Sequence, residues 1–153
     1  MKIILRSARE TKMFAARLAK AVFRGKRGKR ALVFGLVGEL GAGKTTFIQS
    51  FIKTFRVKQR AVSPSFLIFR IYRIPKPPKS GYRRIYHVDC YRLRKARELY
   101  FLGFREIIKN AENIVIIEWA DRIRRRLPKG VKWLILEHGQ KPNERKLTTT
   151  NDL

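Results

Sequence analysis

Cysteine, histidine and long apolar runs are all scarce in this chain of 153 residues. Cys90 is its single cysteine, which excludes an intramolecular disulfide and any cysteine cluster for zinc. His87 and His138 are the two histidines, too few for a convincing metal site. The first apolar run, "MKIIL", is too short for a signal sequence, and no apolar segment reaches the roughly 18 residues of a membrane span. We therefore expect a soluble, cytoplasmic protein without a membrane segment.

Acidic residues are scarce as well, so the chain is strongly basic. Its 37 Lys and Arg stand against 11 Asp and Glu, a formal net charge of +26. Such an excess favours polyanions as partners: nucleic acid, nucleotides or acidic lipid head groups. The other interpretation is a solvated surface that reflects the composition of the source proteome. Net charge bears on association and not on the fold, so both interpretations stay open.

The length and the apolar fraction are those of one folded domain. A chain of 153 residues, 44% of them hydrophobic, has enough apolar surface for a proper core. We expect a single domain over residues 1–153. Residues 74–84 form a basic, proline-rich insert whose prolines and glycine predict a loop or hairpin tip, and residues 140–153 form a polar, weakly β-prone tail.

Apolar runs typical of strands alternate with amphipathic runs typical of helices. Strands are predicted at 1–5, 31–38, 65–74, 83–93, 113–119 and 131–139. Helices are predicted from the N-cap Ser7 to residue 23, after the glycine cluster near residue 44, at 96–108 with an interruption at Gly103, and at 120–128. This alternation predicts an α/β fold with a mostly parallel central sheet flanked by helices.

One stretch has the pattern of a phosphate-binding loop. Gly38 to Thr45 reads "GELGAGKT", a full match to G-x-x-x-x-G-K-[ST], with a buried strand before it and an amphipathic helix after it. Its glycines allow the turns that aim backbone N–H groups at phosphates, and the helix dipole adds to that attraction. Lys44 is expected to reach the β and γ phosphates, and Thr45 to offer a hydroxyl to Mg²⁺. The nucleotide-binding set is predicted as Glu39, Leu40, Gly41, Ala42, Gly43, Lys44, Thr45 and Thr46.

Two acidic residues follow predicted strands, where such a loop needs an acidic partner. Glu118 ends "IVIIE" and is a candidate to hold the metal or polarise the attacking water. Asp89, in "HVDCYRL", is the second candidate, and the alternative for it is a turn aspartate bonded to nearby backbone. Spacing alone assigns neither role. The guanine-reading string N-K-x-D is absent, which favours ATP over GTP.

The basic run "DRIRRR" at residues 121–126 has three interpretations. It is typical of an arginine lid over phosphates in small kinases, of a contact with an RNA backbone, or of a solvated helix face. The solvated face is the commonest outcome for such a run, and we keep it as the default.

Taken in order, "GELGAGKTTF", "VSPSF", "YHVDCYRL", "LGFREI" and "IIEWADRIRRRLP" resemble the TsaE (YjeE) family of small bacterial P-loop ATPases, from about Glu10 to about Leu136. The resemblance implies a P-loop α/β sandwich and an ATPase that uses ATP and Mg²⁺. It also implies a role in threonylcarbamoyladenosine modification of tRNA, 3′ of the anticodon, together with the TsaD–TsaB pair.

The resemblance also implies roles for individual residues. Lys44, Asp89 and Glu118 would be catalytic, with Thr45 and Glu118 holding the metal. Trp119 would lie beside the nucleotide and Thr11 near the base. Ser63, Pro64, Ser65 and Phe66 would form a switch-like segment, with Ser65 where the family usually has threonine. Two alternative functions remain: a small kinase acting on nucleotide or RNA, and a basic RNA-binding module with a vestigial loop.

Overall fold

The computed structural model describes residues 1–59, 62, 64, 68–95 and 97–150. Its strands are β1 Lys2–Leu5, β2 Leu32–Val37, β3 Phe69–Arg73, β4 Arg84–Asp89, β5 Asn113–Glu118, β6 Lys132–His138 and β7 Arg145–Thr150. Its helices are α1 Ala8–Arg24, α2 Lys44–Thr54, α3 Glu98–Phe101 and α4 Phe104–Lys109, with a 3₁₀-helix at Ala120–Arg126. No helix in this part of the chain has the length and apolar character needed to cross a membrane.

The seven strands of the described residues form one sheet in the order β1-β7-β6-β2-β5-β4-β3. The central strands β6, β2, β5 and β4 are parallel neighbours. The outer pairs β3–β4, β6–β7 and β1–β7 are antiparallel. The predicted α/β fold with a mostly parallel centre is therefore confirmed, and antiparallel strands extend the sheet at both edges. Because β2, β4 and β5 run in one direction, their carboxyl ends meet at the same edge.

Helices cover both faces of the sheet. On one face, α1 and α2 bury an apolar cluster that includes Leu18, Phe47 and Phe51. On the other face, α3, α4 and the 3₁₀-helix cover a second cluster that includes Phe104 and Ile123. The strand β5 lies between the two clusters and is buried along its whole length, as expected for an apolar central strand.

The start of α1 shows how local sequence sets an element boundary. The Ser7 side chain accepts a hydrogen bond from the Glu10 backbone N–H at 3.2 Å, as expected of an N-cap. The Glu10 carboxylate accepts a bond from the Arg6 backbone N–H at 2.8 Å, one residue before the cap. Two backbone donors at the helix start are thereby satisfied, and the predicted start of the helix is correct.

Two predicted segments gain definition in the structure. Within the polar, weakly β-prone tail, residues 145–150 form β7 between β1 and β6, with Leu147 and Thr149 buried. The short strand alternates side chains between a core and a solvent face, so few apolar residues mark it. The strand predicted at 65–74 is shorter, since β3 begins at Phe69 and residues 65–67 lie outside the described part.

Candidate functional site

The loop between β2 and α2 takes the backbone conformation that its glycines predict. Gly38, Gly41 and Gly43 have φ of 149°, 76° and 95°, a region that other L-residues rarely adopt. Gly38 also lies against β6: a Cβ there would come 2.1 Å from the Leu136 carbonyl oxygen. Gly43 is the N-cap of α2, so the helix begins at Lys44 as predicted. The loop therefore places a helix N-terminus at the carboxyl edge of the sheet, the arrangement that attracts phosphate.

Lys44 is held inside this loop. Its Nζ donates to the carbonyl oxygens of Gly38 at 2.7 Å and Glu39 at 2.8 Å, and it lies 3.9 Å from the centroid of the Trp119 ring. Burial lowers the pKa of Lys44, and the carboxylates of Glu118, Asp121 and Asp89 oppose that shift. The ammonium group therefore lies at the pocket wall, where two backbone oxygens and the face of the Trp119 ring fix its position.

Glu118 joins the loop to two strands. Its Oε2 accepts a hydrogen bond from the Thr45 hydroxyl at 3.0 Å, and its Oε1 lies 2.8 Å from His87 Nε2. Glu118 and His87 are only 3% and 1% exposed. Both carboxylate oxygens thus have a partner, as a buried charge requires. The two residues predicted to hold a metal, Thr45 and Glu118, are in direct contact.

His87 has no predicted role, since one histidine in a β-run is unremarkable in a sequence. Its position held the clue: it lies two residues before Asp89, so both side chains point to the same face of β4. β4 is paired in parallel with β5, where Asp89 is opposite Glu118. That register brings the imidazole to the Glu118 carboxylate, so the contact itself depends on the order of the strands in the sheet.

Asp89 makes a turn contact and also lies at the candidate site. Its Oδ1 accepts a hydrogen bond from the Tyr91 backbone N–H at 2.9 Å, which is the turn contact of the alternative interpretation. It also lines the same pocket as Lys44 and Glu118. The turn therefore fixes the aspartate at the rim of the candidate site.

Trp119 lies directly after Glu118 in a left-handed conformation with φ of 56°. For a bulky residue this conformation costs on the order of 1–3 kcal/mol. This backbone conformation places the indole ring against Tyr91, with ring centroids 5.1 Å apart, and next to the Lys44 ammonium. These two aromatic rings give the pocket an apolar wall.

The predicted residues largely converge on one cavity of about 370 Å³. It is lined by Leu40, Gly41, Gly43, Lys44, Thr45, Thr46, Asp89, Tyr91, Arg92, Glu118 and Trp119. Tyr91 and Arg92 are outside the predicted set, although both follow Asp89 in the string "DCYRL".

Three predicted binding residues do not line this cavity. Thr11 is buried in α1 and its hydroxyl donates to the Ser7 carbonyl at 3.3 Å. Ala42 is fully buried, and Glu39 is exposed while its carbonyl accepts from Lys44. Their proposed contacts with nucleotide stay predictions. Of the switch-like segment, Pro64 is described and buried, and Ser63, Ser65 and Phe66 lie outside the described residues.

Side chains from the far end of the chain support the loop. His138, at the end of β6, lies with its Nε2 3.2 Å from the Leu40 carbonyl oxygen. Arg145, the first residue of β7, donates from Nη2 to the Gly41 carbonyl at 3.1 Å. No pattern in a polar tail pointed to this support, which depends on β7 entering the sheet.

The side chains of the basic run at residues 121–126 make different contacts. Arg122 donates to the Cys90 carbonyl at 3.3 Å, and the Arg124 guanidinium lies 4.8 Å from the Trp133 ring centroid. Ile123 points into the core, and Arg125 is exposed. None of these arginines lines the cavity. The default of a solvated helix face describes the run better than a lid over phosphates.

Magnesium fits the donor set of the cavity. A threonine hydroxyl and a carboxylate 3.0 Å apart are oxygen donors of the kind that Mg²⁺ takes when most of its remaining ligands are water and phosphate. Within the described residues, no group of three or more His, Cys, Asp or Glu could hold a metal by itself. The site therefore suits a metal that arrives with phosphates.

The parallel sheet, the glycine loop and the buried lysine and acid together define a P-loop α/β protein. The family model described as "Threonylcarbamoyl adenosine biosynthesis protein TsaE" matches residues 5–147, and the chain belongs to this family. The family acts in tRNA threonylcarbamoyladenosine biosynthesis.

Individual relatives agree with the family match. The tRNA threonylcarbamoyladenosine biosynthesis protein TsaE of Rickettsia prowazekii (strain Madrid E) is 38% identical over 121 residues, covering 78% of this chain and 74% of the relative. The protein of the same name from Bacillus subtilis (strain 168) is 31% identical over 118 residues, covering 77% and 68%. The crystal structure of Bacillus subtilis YdiB aligns with a TM-score of 0.67 and 26% identity, covering 97% of this chain and 83% of that one.

Proposed function

We propose that this protein is an Mg²⁺-dependent ATPase that supports threonylcarbamoyladenosine modification of tRNA together with a TsaD–TsaB type complex. The observation that carries the proposal is the contact of Thr45 with Glu118 beside Lys44, at the mouth of a glycine loop. A phosphate-binding loop with a buried acid at the next strand end is the arrangement needed for hydrolysis of a nucleoside triphosphate.

The charged and polar residues at the loop divide the tasks of this reaction among them. The backbone N–H groups of the loop and the Lys44 ammonium would bind the β and γ phosphates and offset charge in the transition state. The Thr45 hydroxyl and the Glu118 carboxylate would hold Mg²⁺, which would neutralise charge on the phosphate oxygens when bound. His87 keeps the Glu118 carboxylate oriented by a bond of 2.8 Å.

The remaining cavity residues would position the nucleotide and the attacking water. Asp89 is fixed at the rim by its bond with the Tyr91 N–H, so it can accept a bond from a water or transmit a change to the adjoining segment. Tyr91 and Trp119 supply the apolar wall against which a base or ribose would lie. Catalysis here is positioning and electrostatics, without a covalent intermediate on the protein.

The experiment is steady-state turnover of ATP by the protein alone and with TsaD–TsaB. We expect slow turnover alone, a rise with the partner complex, and loss of turnover in Lys44→Ala. Co-purification with TsaD–TsaB in the presence of ATP and not in its absence would support the partnership. Turnover that is equal in the wild type and in Lys44→Ala would refute the site.

The two alternatives have their own readouts. Transfer of labelled γ-phosphate to a nucleotide or RNA acceptor, in place of its release to water, would identify a kinase. An RNA-binding module with a vestigial loop would show salt-sensitive tRNA binding and no thermal shift with ATP. The arginine contacts at residues 122–124 give the kinase lid no support.

A further inference from the structure

The positive charge of the chain is unevenly distributed along the sequence. Between Glu39 and Asp89, residues 40–88 contain eleven Lys and Arg and no Asp or Glu. This acid-free segment includes α2, β3, the insert and nearly all of β4, and β3 is the outermost strand at that side of the sheet. One edge of the molecule is therefore built from a segment with charge of a single sign.

A groove lies on this edge, and the residues that line it carry three positive charges. Its volume is about 400 Å³, and it is lined by Lys58, Gln59, Ile71, Arg73, Pro75, Arg84 and Tyr86. The ion pairs found in the described part of the chain involve Arg27, Arg83 and His87, so Lys58, Arg73 and Arg84 contribute to none of them. We call this surface the β3–β4 groove.

Two of its arginines are directly opposed. In the antiparallel pairing of β3 with β4, Arg73 is opposite Arg84, and Ile71 is opposite Tyr86. Like charges at directly opposed positions of a sheet repel each other, so the pair disfavours the free sheet. An anion placed between two guanidinium groups would relieve this repulsion with charge-assisted hydrogen bonds. The register therefore places two cationic side chains next to each other on one face of the sheet, and we call this pair the clamp.

The surface beside the clamp is apolar and partly open. Ile71 is 43% exposed, whereas Tyr86, opposite it on the same face, is 9% exposed and packs into the core, so Ile71 supplies the open apolar surface. Tyr72 and Ile85, on the opposite face, are buried against the helices. A pair of cations next to an exposed apolar side chain fits a nucleotide chain, whose phosphate and whose sugar or base need these two kinds of contact. A purely acidic surface would pair with the cations and leave Ile71 without a matching contact.

The groove is separate from the candidate ATP site. Arg84 begins β4 and Asp89 ends it, so the two sites lie at opposite ends of one strand, roughly 17 Å apart at about 3.3 Å per residue. A ligand in the groove therefore need not compete with nucleotide at the loop.

We propose that the β3–β4 groove is an RNA-binding surface that clamps a backbone phosphate between Arg73 and Arg84. The proposal rests on the proposed function only for its choice of tRNA as the RNA, because the groove itself is independent of ATP chemistry. One clamped phosphate should account for a defined part of the salt dependence of RNA binding.

The experiment is fluorescence anisotropy of labelled tRNA at a series of salt concentrations. We expect the double variant Arg73→Gln/Arg84→Gln to raise the Kd about tenfold at 150 mM salt and to make the log–log salt slope less steep by about 0.7–0.9, the value for one phosphate. The matched control is Arg17→Gln/Arg24→Gln on α1, which removes the same net charge from exposed positions of another element. The control should change the Kd less than about threefold.

Two further measurements make the result decisive. The melting temperature of Arg73→Gln/Arg84→Gln without RNA should equal or exceed that of the wild type, because the opposed charges are gone. Lys44→Ala should lose ATP turnover and keep its tRNA affinity, so failure of the ATPase proposal and failure of this one are distinguishable. Equal losses in the groove variant and the control, or a groove variant that loses only its binding to the TsaD–TsaB complex, would overturn the proposal.

Discussion

The bond between His87 and Glu118 gives the sharpest prediction for stability. Substitution of His87 by Leu removes the partner of Oε1 on a carboxylate that is 3% exposed, and leaves the bond from the Thr45 hydroxyl to Oε2 at 3.0 Å. A hydrogen bond to a charged group contributes about 1.5–3 kcal/mol, and loss of one partner leaves the other group buried. We expect His87→Leu to lower the free energy of unfolding by about 2–3 kcal/mol, measured from urea titrations monitored by tryptophan fluorescence.

A conservative variant separates the hydrogen bond from side-chain packing. His87→Gln keeps an amide N–H near the position of Nε2, so it should recover at least half of the loss. Removal of the carboxylate should also remove the effect: in a Glu118→Gln background, His87→Leu should cost at least about 1 kcal/mol less than in the wild type. Equal losses for Leu and Gln, or additive effects of the two positions, would show that His87 acts only by filling space.

Three further predictions test the loop and its surroundings. Gly38→Ala should abolish ATP binding and lower the melting temperature, because its Cβ would lie 2.1 Å from the Leu136 oxygen; Gly28→Ala, with nothing within 4 Å, is the control. Arg145→Ala should raise the KM for ATP about fivefold with kcat nearly unchanged, since the bond to Gly41 is lost together with those to Pro142 and Glu144, whereas Lys146→Ala should leave the KM unchanged. Burial raises the pKa of the Cys90 thiol from 9.0 to about 12. The unfolded chain then loses this proton first as pH rises above 9, which favours unfolding. Between pH 8 and pH 10 the free energy of unfolding of the wild type should therefore fall by about 1 kcal/mol more than that of Cys90→Ala. The thiol should not react with Ellman's reagent at pH 8 until urea is added.

Sequence pattern predicted the part of the fold that depends on local rules. The glycine spacing from Gly38 to Lys44 gave both the loop and the start of α2, since positive φ angles and helix capping are local properties. The apolar run of β5 predicted a buried strand ending at Glu118, since a continuous apolar run is also a local property. The contact of Thr45 with Glu118 followed from the rule that parallel strands end at one edge.

The rest of the site depends on contacts between distant segments. His87 reaches Glu118 through the register of β4 on β5, and Arg145 reaches Gly41 only because β7 is inserted between β1 and β6. No local pattern encodes either pairing. The opposed arginines of the β3–β4 groove are likewise a product of strand register, although the absence of acids from residues 40–88 can be read directly in the sequence.

The central claim is that Glu118, held by Thr45 and His87, acts with the loop to hydrolyse ATP. The most direct measurement is release of phosphate from ATP with Mg²⁺ in single-turnover experiments with TsaD–TsaB present, comparing wild type, Glu118→Gln and the exposed control Glu137→Gln. We predict that Glu118→Gln slows release by at least about 100-fold while ATP still binds, and that Glu137→Gln matches the wild type. Equal rates for all three proteins would contradict the account.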